Sequence, residues 1–305
     1  MKKNVVCPLC ESATSIFVNR VRKKDLLKIY KKFIKIDIGY LINSDIDYYE
    51  CLKCGLRFYY PHITGDEMFY NALQKFDWYY MDEKEEYHFV KEYISNNDNV
   101  LEVGSGKGAF VKYLTTDKYI GLDFSENAKK MAAENGIIIE NDTIENYAKF
   151  HEEEFDFVVS FQVLEHVSNP KSFIEASLRV LKLGGLLIVS VPSEDSFLKY
   201  AVNSILNMPP HHITRWRDKN FEFIAKKYNL ELIDIFHEKV NEYHKLWYLH
   251  TLVRNSLKNY ELIDVSLAGK FINKLSSFIA KVLMRGIKKE MLPTGHTVIA
   301  VFKKI

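Results

Sequence analysis

Short apolar runs recur through the middle of the chain, separated by stretches whose apolar positions repeat at helical spacing. A short apolar run bounded by turn residues reads as a buried strand, and i, i+3, i+4 repetition reads as a helix. The pattern predicts strands near residues 99–104, 119–123, 137–141, 155–161 and 185–191. Helices are expected between them, over about 107–115, 125–135, 143–149 and 170–181. A helix over 220–228, a strand over 230–237 and a closing strand over 295–303 follow. Such alternation builds a mostly parallel sheet covered on both faces, so the expected fold class is α/β.

Outside this core the periodicity is helical. Residues 21–42 carry the stripe Leu26, Leu27, Ile29, Tyr30, Phe33 and Ile34 on a lysine-rich background. Residues 238–293 form an insertion before the closing strand. In it Leu267, Phe271, Leu275, Phe278, Ile279 and Val282 fall on one helical face, with Lys270, Lys274, Lys281 and Arg285 interleaved. Residues 241–260 are a second amphipathic stretch, with Trp247 and Tyr248. A basic amphipathic helix can lie on an acidic membrane surface; a helical cap over the active site, or a homodimer contact, is the favoured reading. The expected division is a small module over 1–62, an aromatic connector over 63–97 and a main domain over 98–305.

Composition narrows the picture only a little. At 305 residues, with 47% apolar residues and a formal charge of +2, the chain is an ordinary globular protein with no global bias toward a polyanion. No apolar run is long enough to span a membrane, and the amino terminus does not read as a signal segment. A cytoplasmic protein without a transmembrane segment is expected. Aromatic residues are abundant at 14% and concentrate after residue 58. Among them Tyr79 and Tyr80 are candidates for a substrate-binding wall, or for a packing seam between module and core.

All four cysteines fall in two knuckles, Cys7-Pro8-Leu9-Cys10 and Cys51-Leu52-Lys53-Cys54. Two such pairs complete the four-sulfur shell that structural zinc prefers, with no position left for water. Local disulfides or redox pairs are the alternative, disfavoured in a chain without a secretion signal. Residues 1–60 hold twelve Lys/Arg against six Asp/Glu. A basic zinc ribbon can contact nucleic acid. These basic residues are spread around helical positions, so a solvated helix face is favoured and no nucleic-acid partner is expected. The same charge would suit a phosphate-bearing small molecule.

The stretch Val100-Leu101-Glu102-Val103-Gly104-Ser105-Gly106-Lys107-Gly108-Ala109-Phe110 leaves a strand through a glycine turn. Glycines at alternate positions let the backbone turn sharply and approach a nucleotide-like ligand. The spacing also satisfies a dinucleotide fingerprint, and Asp123 at the end of the next strand suits ribose hydroxyls in either case.

The surrounding motifs resemble the class I S-adenosylmethionine-dependent methyltransferases. Glu102 precedes the first glycine as in their E-x-G-x-G-x-G signature. Phe155-Asp156-Phe157-Val158-Val159-Ser160 and Phe161-Gln162-Val163-Leu164-Glu165-His166-Val167 look like their fourth strand and its loop, and Leu181 to Pro192 like their fifth strand. The resemblance implies a Rossmann-like sheet of seven strands, with the last antiparallel, and S-adenosylmethionine as cofactor. It implies that Gly104, Ser105, Gly106 and Gly108 present backbone to the methionine and ribose, and that Glu102 orients that end. Asp123 would bind the ribose, Phe124 would cover the adenine, and Asp142 would hold the adenine amino group or cap the next helix. Thr143, Phe161 and Gln162 complete the implied cofactor contacts.

Methyl transfer to a hydroxyl benefits from a base, and neutral histidine suits that task. His166, His211 and His212 are the candidates, each with a structural role as the alternative. Arg215 and Trp216, beside the last two, are candidates for the acceptor, with Arg215 on a phosphate or carboxylate. Some quinone-biosynthesis methyltransferases hold a divalent ion with an E-x-x-E-H run. Here that run reads Gln162-Val163-Leu164-Glu165-His166, so no catalytic metal is expected. The expected acceptor is a small polar molecule, a sugar or sugar nucleotide of surface-polysaccharide or related biosynthesis. An RNA-directed methyltransferase, or a module using the zinc ribbon on nucleic acid, is the alternative.

Overall fold

The computed structural model describes residues 5–76 and 81–305. Tyr79 and Tyr80 lie outside the described residues. From the amino end, β1 (Ser15–Val21), α1 (Lys23–Phe33), β2 (Ile46–Cys51) and β3 (Arg57–Tyr60) surround the two cysteine knuckles. The apolar stripe predicted through residue 42 stops earlier as a helix, at Phe33. Lys35 takes a left-handed backbone with φ 56°, which ends regular helix. Two short helices follow, α2 (Glu67–Leu73), capped by Asp66, and α3 (Glu85–Lys91).

The core then runs β4 (Val100–Val103), β5 (Tyr119–Leu122), α4 (Glu126–Ala133), β6 (Ile139–Glu140), α5 (Ile144–Tyr147), β7 (Phe155–Phe161), α6 (Pro170–Val180) and β8 (Leu181–Pro192). The helix expected after the glycine turn is a 3-10 segment, Ala109–Tyr113. Gly104, Gly106 and Gly108 all have positive φ, so the chain enters that segment from a left-handed residue instead of from an extended cap. Helix α6 begins as its sequence dictates, with Asn169 accepting from Ser172 N and Pro170 in its first turn.

Downstream lie β9 (Thr214–Arg215), α7 (Asp218–Tyr228), β10 (Leu230–Lys239), α8 (Lys245–Leu257), α9 (Leu267–Leu283) and β11 (Thr294–Lys304). The large sheet has the order β10-β11-β8-β7-β4-β5-β6. Its strands are parallel except β11, which runs antiparallel to both β8 and β10. This is the Rossmann-like seven-stranded arrangement that the resemblance implied.

A second sheet, β1-β2-β3-β9, joins the two ends of the sequence. Strand β9 pairs with β3, with Phe58 opposite Thr214 and Arg57 opposite Arg215. One buried cluster contains all four cysteines together with Leu56, Phe58, Trp216 and Phe221, and continues into Leu101, Val158 and Val189 of the large sheet. Polar contacts reinforce the seam. Asn220 Nδ2 donates to the Cys54 carbonyl at 2.7 Å, and Arg217 Nη2 to that of Gly55 at 2.5 Å.

The insertion folds as the pair α8 and α9; Arg254 of α8 donates to Asn273 Oδ1 of α9 and pairs with the buried Asp264 of the connection, each at 2.7 Å. Trp247 of α8 packs edge-on against Phe197, ring centroids 4.9 Å apart. Among the described residues, no helix is long and apolar enough to cross a membrane.

Candidate active site

The glycine turn sits at the carboxyl end of β4, between β7 and β5, the switch point of the sheet at which ligands bind in open α/β folds. Glu102 is buried on β4, and Tyr119 Oη of β5 donates to its carboxylate at 2.5 Å. Burial pushes the Glu102 carboxyl up to about 8. Asp123 closes β5 and holds the turn. Its Oδ2 accepts from Gly106 N and its Oδ1 from Ser125 N, each at 2.8 Å. Burial raises the Asp123 carboxyl as well, against the two amides. Ser105 is buried, with its hydroxyl on the Leu122 carbonyl at 3.4 Å.

Phe124 is 57% exposed and meets the Tyr70 ring edge-on at 5.7 Å. Helix α2, which carries Tyr70, also reaches this edge through Gln74, whose Nε2 donates to Ser125 Oγ at 3.3 Å. Thr143 caps α5 by accepting from Asn146 N, and Asp142 Oδ1 accepts from Thr143 N at 2.8 Å and Asn146 Nδ2 at 3.0 Å. Phe161 is buried against Phe110 and Tyr87, centroids 4.9 Å from each. Gln162 adopts φ 59°, unusual for a residue with a side chain, and donates to Glu86 and Ser190 at 3.4 Å.

On the other side of the glycine turn the loop after β7 comes close. A Cβ at Gly104 would lie 2.3 Å from a Val163 methyl carbon, so the turn packs directly on the segment that leads to Glu165 and His166. There His166 meets His211 and His212, ring centroids 4.5 and 4.7 Å away. The structure therefore brings together three histidines from segments 45 residues apart. The Glu165 carbonyl accepts from Ile213 N at 2.9 Å and Thr214 N at 3.2 Å, which ties the two segments backbone to backbone. Burial lowers the proton affinity of all three rings, His166 to about 4.

Arg215 and Trp216 lie in the interior. Arg215 donates to the Asn207 carbonyl at 2.8 Å, lies 3.4 Å from both Glu194 carboxylate oxygens, and stacks over Tyr48 and Tyr59. Trp216 Nε1 donates to Thr214 Oγ1 at 2.9 Å, and its ring stacks on Phe221. Sequence reading singled out neither Tyr119 nor Glu194, because each acts only through a partner distant in the chain. Tyr70 was legible only as one aromatic among many.

The four cysteine sulfurs all lie within 4.8 Å of one another, with Cys7–Cys54 at 3.5 Å and Cys10–Cys51 at 3.4 Å, and no disulfide joins them. Sulfurs around a tetrahedral zinc ion stand about 3.8 Å apart for bonds of about 2.3 Å. The quartet has the donor set and spacing to hold such an ion.

Comparison with known proteins agrees with the geometry. Residues 76–235, a little over half of the chain, match the family described as "Methyltransferase domain". The chain belongs to that family, and its sheet and glycine turn are those of the class I S-adenosylmethionine-dependent methyltransferases. It is similar to an uncharacterized protein of Methanocaldococcus jannaschii, 39% identical over 115 residues, covering 38% of this chain and 54% of that protein. It is also similar to a ubiquinone biosynthesis O-methyltransferase of Hydrogenovibrio crunogenus, 30% identical over 135 residues, covering 40% and 56%. The chain thus spans about half the length of these relatives. Among solved structures, an S-adenosylmethionine-dependent methyltransferase of Thermotoga maritima, possible histamine N-methyltransferase, shares the fold. It superposes with a TM-score of 0.50 at 20% identity, over 78% of this chain and 98% of that one.

Proposed function

We propose that the chain methylates a hydroxyl group of a small polar molecule, with the donor in the glycine turn and the acceptor at the three histidines. The observation that supports this most is the packing of Gly104 against Val163, which sets the histidine segment directly beside the turn. S-adenosylmethionine, when bound, supplies a methyl group made electrophilic by its sulfonium. The turn's backbone and Asp123 would fix the donor, and holding two reactants in line is worth up to about 7–11 kcal/mol of barrier. A hydroxyl must shed its proton as its oxygen forms the new bond to carbon. Rings kept neutral by burial are in the correct state to accept that proton or to hold the oxygen. The O-methyltransferase name of a relative supports oxygen as the nucleophile.

Within small polar acceptors we favour a sugar or sugar nucleotide, for which the local excess of basic residues over 1–60 supplies complementary charge. We also assign the cysteine quartet to a structural zinc ion. The test incubates the purified chain with methyl-labelled S-adenosylmethionine and separate pools of sugar nucleotides, phenols and RNA. Label in the sugar-nucleotide pool is expected. Label only in RNA would replace the acceptor, and calorimetry without any heat from S-adenosylmethionine would remove the donor.

A further inference from the structure

The histidine cluster contains more than a base requires. A ring nitrogen from each of His166, His211 and His212 lies within 4.8 Å of one from each of the others. Every Nδ1 faces an oxygen: that of His166 the His211 carbonyl at 2.6 Å, that of His211 the Leu206 carbonyl at 2.9 Å, and that of His212 Asn207 Oδ1 at 3.2 Å. A carbonyl oxygen only accepts, so in each neutral ring Nδ1 holds the hydrogen and Nε2 the lone pair. Metal-binding imidazoles are oriented in this way. Glu165 adds a carboxylate that is 1% exposed, with Oε1 3.7 Å from Nε2 of both His166 and His212. Neither of its oxygens has a hydrogen-bond donor among the described residues. A carboxylate buried in that state is costly unless a cation answers it.

We propose that His166, His211 and His212, together with Glu165, bind a divalent first-row transition-metal ion beside the methyl-donor turn. Three imidazoles and one carboxylate select zinc, iron, manganese or cobalt over magnesium and calcium, which take oxygen ligands. The set is not a carboxylate-rich run along one strand end. Gln162 at the head of that run turns away to Glu86 and Ser190, and two of the ligands come from the loop after β8. The proposal departs from the expectation, read from Gln162, of no catalytic metal. Ligand atoms around an ion with bonds of about 2.1 Å stand about 3–3.5 Å apart, so closure of the three rings asks only small side-chain shifts. The ion's task, to hold the acceptor oxygen and lower its proton affinity so that the proton passes to solvent and not to the rings, rests on the O-methyltransferase reading; its binding does not.

The test counts metal. The purified full chain, stripped with a chelator, is titrated with Co²⁺ alone and followed by calorimetry, visible absorption and elemental analysis. A cobalt equivalent with nitrogen- and oxygen-ligand bands, beside the sulfur-ligand equivalent of the cysteine quartet, is expected in the wild type. It should be absent from His166→Ala and His212→Ala, and weakened at least about tenfold in the near-isosteric Glu165→Gln. S-adenosylmethionine binding, measured on the same samples, reports the donor site separately. A wild-type chain whose only cobalt has sulfur-ligand bands would overturn the proposal, whether or not the alanine variants fold. So would a second equivalent that survives His212→Ala and Glu165→Gln.

Discussion

Phe58 of β3 stands opposite Thr214 of β9, and the register carries Tyr59 N onto the Ile213 carbonyl at 2.9 Å. The strand that leaves the second cysteine knuckle is therefore the template for the loop that bears His211 and His212. Loss of the knuckle should be felt at the histidines. For Cys54→Ser we expect a lower melting temperature and a loss of turnover larger than the loss of S-adenosylmethionine affinity. Thermal melts, calorimetry and methyl-transfer rates on one preparation check this. A variant that melts like the wild type would show that the quartet does not support the loop.

Asp123 holds the glycine turn through two amides, and we assign it to the ribose of the methyl donor. Hydrogen bonds to a charged group contribute about 1.5–3 kcal/mol each. Asp123→Ala should therefore weaken S-adenosylmethionine binding roughly tenfold to a hundredfold. Calorimetric titration gives the number, and unchanged affinity would exclude Asp123 from the cofactor site.

Glu102 carries a pH dependence with a definite sign. Its carboxyl is raised to about 8 in the folded chain, above the ordinary range near 4.5. The folded state therefore holds the proton more tightly than the unfolded one between those values. Stability is fully present below about pH 4.5 and falls as pH rises through 8, by at most about 1.4 kcal/mol for each pH unit crossed. Urea melts from pH 5 to pH 9 should show this slope, flattened in Glu102→Gln. Equal slopes in both proteins would refute it.

The histidines act in the opposite direction. With His166 lowered to about 4, the rings stay neutral well below pH 6.5. Initial rates should be level from pH 6 to pH 8, with an acid limb only below about 5. A limb centred near 6.5 would mean that the rings sit in water and not in the interior.

Arg215 sits between Glu194, the Asn207 carbonyl and two tyrosine rings. Arg215→Met should cost about 3 kcal/mol, because removing one partner leaves a buried carboxylate short of charge. Arg57, 3.1 Å from Glu194, limits the loss. Chemical denaturation measures it, and a change under about 0.5 kcal/mol would show that Arg57 alone satisfies Glu194.

What could be read from the sequence was what neighbours in the chain decide. Gly104, Gly106, Gly108 and Asp123 lie within one strand-turn-helix-strand unit, and the mostly parallel sheet followed from the alternation around them. Each cysteine pair is likewise local. Arg215 and Trp216 read as acceptor contacts because nothing near them in sequence announces β3, more than 150 residues away, as the partner that buries them. Glu165 read as the survivor of a broken metal run. Its meeting with His212 spans 47 residues of chain, which no periodicity encodes.

The buried cluster that runs without a break from the sulfurs to the central strands sets a limit on how this gene can be cut. A fragment trimmed to the stretch that defines its family would end before β11 and begin after β3, leaving β8 and β9 with open edges and Trp216 and Phe221 bare. Such a piece would precipitate instead of binding its cofactor.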